Sequence, residues 1–119
     1  MEEKHILGKK GETIAKEHLL ENSYSILEEN WRYLKAEIDL IAQKDDFIVF
    51  VEVKTRTYAT FGQPEEAISV KKQQLMYELA SEYMFREQYE EEYRFDIISI
   101  VLQPSREINH YEDAFFPHW

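Results

Sequence analysis

Apolar and polar positions follow two different periods along this chain. From Ile6 to Asn22 the period is helical: Leu7, Gly11, Ile14, Ala15, His18 and Leu19 form one stripe, with Glu12 beside it. Asn22-Ser23 is a stop and turn signal. Tyr24 to Arg32 then reads as a strand with imperfect alternation, and Glu37 to Ala42 as a second strand. Gln43-Lys44-Asp45-Asp46 makes a turn. Phe47 to Lys54 is a third strand, apolar on both faces until Glu52, which predicts a central place in a sheet. Thr55 to Gln63 reads as a loop with Gly62 near its end, and Pro64-Glu65-Glu66 as the opening of a long helix. That helix carries Ile68, Lys72, Leu75, Leu79 and Tyr83 on one side and ends near Gln88. Arg94 to Leu102 is a fourth strand, Ile108 to Glu112 a short edge strand, and Ala114 to Trp119 a short aromatic tail. Helix, three strands, helix and one or two strands predict an α/β fold with a mixed central sheet flanked by helices.

At 119 residues the chain suits a single domain, 1–119, and 44% hydrophobic content supports a real core. The first residues, Met1-Glu2-Glu3-Lys4-His5, lack an export signal pattern. No apolar run approaches the roughly 20 residues of a membrane helix. With no cysteine, disulfides and thiolate metal sites are excluded, which fits a cytoplasmic protein. The net charge of −10 opposes nonspecific nucleic-acid binding. Its distribution softens the objection. Residues 1–72 hold 11 of the 14 Lys and Arg against 14 acids, net −3, whereas residues 73–119 hold 3 against 10, net −7. A locally basic face therefore remains available in the first segment.

The chemistry sits at the end of the central strand. Glu52 and Lys54 share a face by alternation, as do Glu37 and Asp39 on the preceding strand. With a four-residue loop at 43–46, Ala42 pairs with Phe47, Glu37 lies opposite Glu52, and Asp39 lies one diagonal step away. That register puts all four charged groups on one face at one end of the sheet. Carboxylates this close repel unless a cation joins them, and they make an oxygen-ligand set for Mg²⁺ or Mn²⁺. Asp39, Glu52 and the Val53 carbonyl are the candidate metal ligands. Lys54 is the group to orient a water or stabilise charge developing on a phosphate. Glu12 adds a carboxylate where the first helix packs over this end, and Glu37 is either a ligand or a supporting group.

Two readings of this Asp39…Glu52-x-Lys54 pattern stand side by side. One is a metal-dependent phosphodiesterase site. The other is a surface ion pair where a strand emerges into water. A pattern this short also occurs by chance.

A family resemblance bears on the choice. Gly8-Lys9-Lys10-Gly11-Glu12, Ala15, Asn30-Trp31-Arg32, Glu37-Ile38-Asp39-Leu40-Ile41, Phe50-Val51-Glu52-Val53-Lys54-Thr55-Arg56, Gly62, Lys72, Arg94-Phe95-Asp96 and Ala114-Phe115 occur in order. This resembles the YraN family of bacterial proteins over nearly the whole chain, the Glu37–Ile41 and Phe50–Arg56 blocks being the specific part. The family in turn resembles the PD-(D/E)xK restriction-endonuclease-like superfamily, particularly archaeal Holliday-junction resolvases. The resemblance implies an αβββαβ nuclease core, with Asp39, Glu52 and Lys54 as the active-site set and Glu12 as the helix carboxylate. It also implies a DNA substrate of branched or otherwise nonstandard structure and, by analogy with resolvases, a homodimer. One departure is Ala36, where the family usually carries Gly; it touches only the turn into the strand.

Arg56, Lys72, Lys9 and Lys10 are the candidate phosphate contacts, with Lys71 beside them; for each, a solvated surface charge is the alternative. Gln73 and Tyr77 share a spacing with RecB-type nucleases, which in a helix this rich in Gln and Tyr reads as coincidence. The four histidines show no zinc spacing, and His18 reads as packed. Trp31 and the terminal aromatics read as core or contact residues before base-stacking ones. Besides a metal-dependent nuclease, the sequence admits a non-catalytic module that keeps the fold and binds nucleic acid or a protein. It also admits an interaction protein whose acidic half docks a basic partner. The residues do not distinguish DNA from RNA.

Overall fold

The computed structural model describes residues 2–59 and 68–115. Within them the chain runs α1 (Glu2–Glu21), β1 (Ser25–Tyr33), β2 (Ala36–Lys44), β3 (Phe47–Tyr58), α2 (Val70–Arg86), β4 (Glu92–Gln103) and β5 (Glu107–Phe115). The strands form one sheet in the order β1-β2-β3-β4-β5. Neighbours are antiparallel except β3 and β4, which are parallel. A parallel pair needs a long crossover, and the segment containing α2 supplies it. Ile14, Ala15 and Leu19 of α1 pack on one face against Leu40, Ala42, Val49, Val51, Ile98 and Ile100. Met76, Leu79, Ala80 and Tyr83 of α2 cover the other, over Ile41, Ile48, Phe50, Phe95 and Ile97. β3 and β4 are covered on both sides, which is why they carry the continuous apolar runs. This is the αβββαβ core of restriction-endonuclease-like folds, with β5 added beyond β4. No described helix is long and apolar enough to cross a membrane.

The structure moves several boundaries. Thr55 to Tyr58 is strand, because β3 stays paired with β4 as far as Tyr58↔Gln103. β5 spans nine residues, longer than the expected edge strand. α2 begins at Val70: Ser69 is extended, and its hydroxyl accepts a hydrogen bond from the Lys72 N–H at 3.1 Å, an N-cap. Its first turn therefore holds Lys71 and Lys72 and no acid. The expected opening at Pro64-Glu65-Glu66 lies outside the described residues, as do Gly62 and residues 116–119. The buried stripe of α2 is Met76, Leu79, Ala80, Tyr83 and Met84, and Leu75 faces outward. Trp31 is a packing residue, edge-on to Tyr83 at 5.2 Å.

A polar network fastens α1 to β4 and β5. Asp96, fully buried, accepts hydrogen bonds from Arg94 (3.0 and 3.2 Å), from His110 Nε2 (2.7 Å) and from the Asp113 N–H (2.9 Å). Burial alone would raise the Asp96 carboxyl, but the bonds from His110 and Arg94 outweigh it and hold it below the usual carboxylate range. With Nε2 of His110 turned to Asp96, its Nδ1 meets His18 Nε2 at 3.1 Å. Burial, then the nearby His110, push the His18 pKa below 6.5, against a weaker pull from Glu21. The neutral His18 is thus favoured by the fold. Its contribution is fully present above pH 6.5 and is lost as pH falls below that value. Between about pH 7.5 and about pH 5, the wild type should lose more of its urea midpoint than His18→Gln, whose amide donates without titrating.

Candidate active site

The hairpin of β2 and β3 sets the site. It turns through Asp45 and Asp46 alone, with Lys44↔Phe47, Ala42↔Val49 and Leu40↔Val51 as partners. The expected four-residue loop is therefore replaced by a two-residue one, and the register moves by two. A shift of two keeps every side chain on its own face. It brings Asp39, in place of Glu37, level with Glu52.

The β2–β3 pairing ends at Leu40↔Val51, although β2 starts at Ala36 and β3 continues to Tyr58. The sheet opens there into a fork. Asp39 stands at its apex, with Oδ2 accepting the Val53 N–H at 2.8 Å. The N–H and C=O of a strand residue face the same neighbouring strand, so the Val53 carbonyl is directed to the β2 side as well. Alternation slips at Asp39: Ile38 packs with the α2 core while Leu40 packs with the α1 core. Across from it in β1, between the pairs Glu29↔Leu40 and Trp31↔Ile38, Asn30 takes φ 51°. That left-handed conformation is one asparagine tolerates.

Glu52 continues the face of Ile48 and Phe50, toward α2, where Lys72 Nζ lies 3.8 Å from its Oε2. Lys54 follows on the same face by alternation. Asp39 and Glu52 form a close carboxylate pair. Burial first, then the charge of Glu52, push the Asp39 pKa up to about 8, with Glu12 adding to the rise and the Val53 N–H opposing it.

Glu12 is brought over the fork by an unusually close helix. A Cβ on Gly11 would lie 1.7 Å from Thr55 Oγ1, so only glycine lets α1 approach β3 this closely. Glu37 departs from expectation. It lies toward α1, on the face opposite Glu52, because Ala36 and Ile38 beside it both pack with the α2 core. The amide Nδ2 of Asn30 donates to both Glu12 Oε1 and Glu37 Oε2, each at 3.0 Å, and Arg32 lies 3.8 Å from Glu37. Asn30 entered the sequence reading only within the Asn30-Trp31-Arg32 block of the family resemblance, with no role assigned to it; its bridge between Glu12 and Glu37 comes from the fold.

Among the described residues no three His, Asp or Glu side chains converge closely enough to hold a metal ion by themselves. Of the expected phosphate contacts, Lys72 is tied to Glu52 and Lys9 Nζ donates to Asn30 Oδ1 at 3.3 Å, while Lys10 is exposed. Arg56 Nη1 is shielded from solvent and has no hydrogen-bond partner among the described residues.

A family model described as "Uncharacterised protein family UPF0102" matches residues 11–100. The chain belongs to this family. A UPF0102 protein of Flavobacterium psychrophilum is 44% identical over 117 residues, covering 98% of both chains. Another, from Bacteroides thetaiotaomicron, is 40% identical over 98% of both. One from Caldanaerobacter subterraneus subsp. tengcongensis is 42% identical over 94% of this chain and 96% of its own. The UPF0102 match spans Glu12, Asn30, Asp39, Glu52, Lys54 and Lys72, so the whole fork and its supports fall inside it.

Proposed function

We propose that this UPF0102 protein is a metal-dependent endonuclease that hydrolyses phosphodiester bonds in DNA, with branched or junction DNA as the substrate class. The observation that carries the reading is the Asp39–Glu52 pair in the β2–β3 fork, one carboxyl raised to about 8, with Lys54 two residues further on. Two carboxylates and a main-chain carbonyl suit Mg²⁺ or Mn²⁺, which keeps waters and phosphate oxygens in its remaining positions. Asp39, Glu52 and Val53 would hold the ion. When bound, it supplies Lewis-acid polarisation of a phosphate and a water of lowered pKa.

The chain's own groups do the rest. Val53 fixes the Asp39 carboxylate through its N–H, and Lys72 draws Glu52 toward α2. Lys54 places positive charge where the transition state gathers negative charge. Glu12, anchored by Asn30, sits on the α1 side as a further proton acceptor. Arg56, Lys9 and Lys10 add contacts to the strand's phosphates. Symmetric cleavage of a junction needs two such sites, so the working form in this reading is a homodimer.

The test is cleavage of labelled junction, flap, single-stranded and linear DNA by the intact protein, with Mg²⁺, Mn²⁺ or chelator. Metal-dependent products on at least one substrate, absent in Glu52→Gln, are the expected result. No product on any of them from a folded protein would overturn the reading. The net charge of −10 favours a second reading, a nuclease-like module that binds nucleic acid or a protein without cutting. Salt-dependent DNA affinity without cleavage would mark it.

A further inference from the structure

α1 carries two glycines in its interior, where each costs about 1 kcal/mol relative to alanine. Gly11 is explained by Thr55. Gly8 is not explained by the fold: a Cβ there would meet no atom within 4 Å. What it borders is a cavity of about 320 Å³ between α1 and the start of the fork. The charged side chains around that cavity are Lys4, Lys9 and Arg32, against Glu12 and Glu37. In a chain of net charge −10 the lining is formally positive. Asn30 ties the lining together: its amide donates to both carboxylates, its Oδ1 accepts from Lys9 at 3.3 Å, and Arg32 lies 3.8 Å from Glu37, so three cations and two carboxylates leave one net positive charge around the cavity to attract an anion. Glu12 belongs to both places, lining the cavity and raising the Asp39 carboxyl.

We propose that this cavity is a binding site for a phosphate group of the nucleic-acid strand, adjoining the Asp39–Glu52 pair, and that Gly8 is present to leave room for it. The proposal rests on the nuclease reading and extends it by naming how the strand is seated. The phosphate belongs either to a strand end or to the continuous backbone.

The experiment is binding of labelled single strands by fluorescence anisotropy in chelator, so that cleavage does not intervene. Three strands are compared: 5′-phosphorylated, 3′-phosphorylated and unphosphorylated. Gly8→Leu fills the cavity with a good helix former. It should melt no lower than the wild type yet bind at least about tenfold more weakly. Arg32→Gln should weaken binding and flatten the salt dependence by about 0.7 in log–log slope, one phosphate contact's worth. Lys16→Gln removes the same charge from α1 away from the cavity and serves as the comparison. A loss confined to one phosphorylated end identifies a terminal phosphate, and an equal loss on all three strands identifies the backbone. Unchanged affinity in both Gly8→Leu and Arg32→Gln, with wild-type binding intact, overturns the cavity assignment and leaves the nuclease reading standing. A wild type that neither binds nor cuts any nucleic acid overturns both.

Discussion

Asp39→Asn should make the metal-free protein more stable above about pH 8 and remove the proposed cleavage activity. The sign follows from the direction of the Asp39 shift. In the fold the carboxyl holds its proton up to about 8, while in the unfolded chain it releases it near 3.8. Between those values the folded state binds a proton that the unfolded state has lost. Stability is therefore greatest below pH 3.8, as far as this group is concerned, and falls as pH rises through 8. Each factor of ten in proton affinity is worth about 1.4 kcal/mol, so the shift from 3.8 to about 8 sets a ceiling of about 6 kcal/mol. Rearrangement at the open fork should reduce the loss to a few kcal/mol. Asparagine keeps an oxygen for the Val53 N–H and brings no charge beside Glu52. Thermal melts at about pH 4 and about pH 9 in chelator check this: the variant's advantage should be large at the higher pH and small at the lower. Mg²⁺ should then raise the wild-type melting temperature increasingly up to about pH 8, because it competes with the proton, and should leave the variant nearly unmoved. A variant less stable than the wild type at every pH would mean that the carboxylate pair is already satisfied. An ion site would then be the wrong account of it.

Stability given up at a functional site is common in natural proteins, and the candidate site is also where the sequence was legible. The run Phe47-Ile48-Val49-Phe50-Val51 announces a strand buried on both faces, and Glu52 breaks the run at the place where the sheet forks. The carboxylates were readable because alternation survives a register error of two. Had the turn differed by one residue, every face assignment on β2 would have inverted. The position of Glu37 was not readable. It depends on the slip at Asp39 and on the positive φ of Asn30, which no periodicity encodes. The start of α2 was misread because Pro64-Glu65-Glu66 is a strong opening signal, whereas Ser69 caps without an acid at its third position to complete a capping box. Thr55-Arg56-Thr57-Tyr58 has the composition of a strand, and the pairing that makes it one comes from β4, some 45 residues away. The His18–His110 contact joins residues 92 apart. Sequence spacing carries no trace of such a pair.

Gly11→Ala should destabilise the fold by about 1–2 kcal/mol and lower any cleavage activity with it. Helix propensity argues the other way, since alanine gains about 1 kcal/mol in a helix interior. Packing decides. The new Cβ would lie 1.7 Å from Thr55 Oγ1, 2.7 Å from its Cβ and 2.9 Å from its Cγ2. With all three atoms too close, rotating the threonine cannot relieve the clash, and α1 must lift from β3. Overpacking of this kind costs about 1–3 kcal/mol, occasionally more. Glu12 is the next residue, so the same displacement carries its carboxylate away from Asp39 and loosens its bond to Asn30. Urea midpoints measure the stability loss, and a double-mutant cycle with Thr55→Ala assigns it. The second change removes the two outer contacts and leaves the Cβ at 2.7 Å, so it should restore part of the loss and not all. Gly8→Ala provides the contrast on the same helix. With open space around it, the alanine should stabilise the protein, so two identical substitutions three residues apart should move the midpoint in opposite directions. If both stabilised it, α1 would have room to spare above β3, and the close approach that brings Glu12 to the fork would not be a feature of the protein in solution.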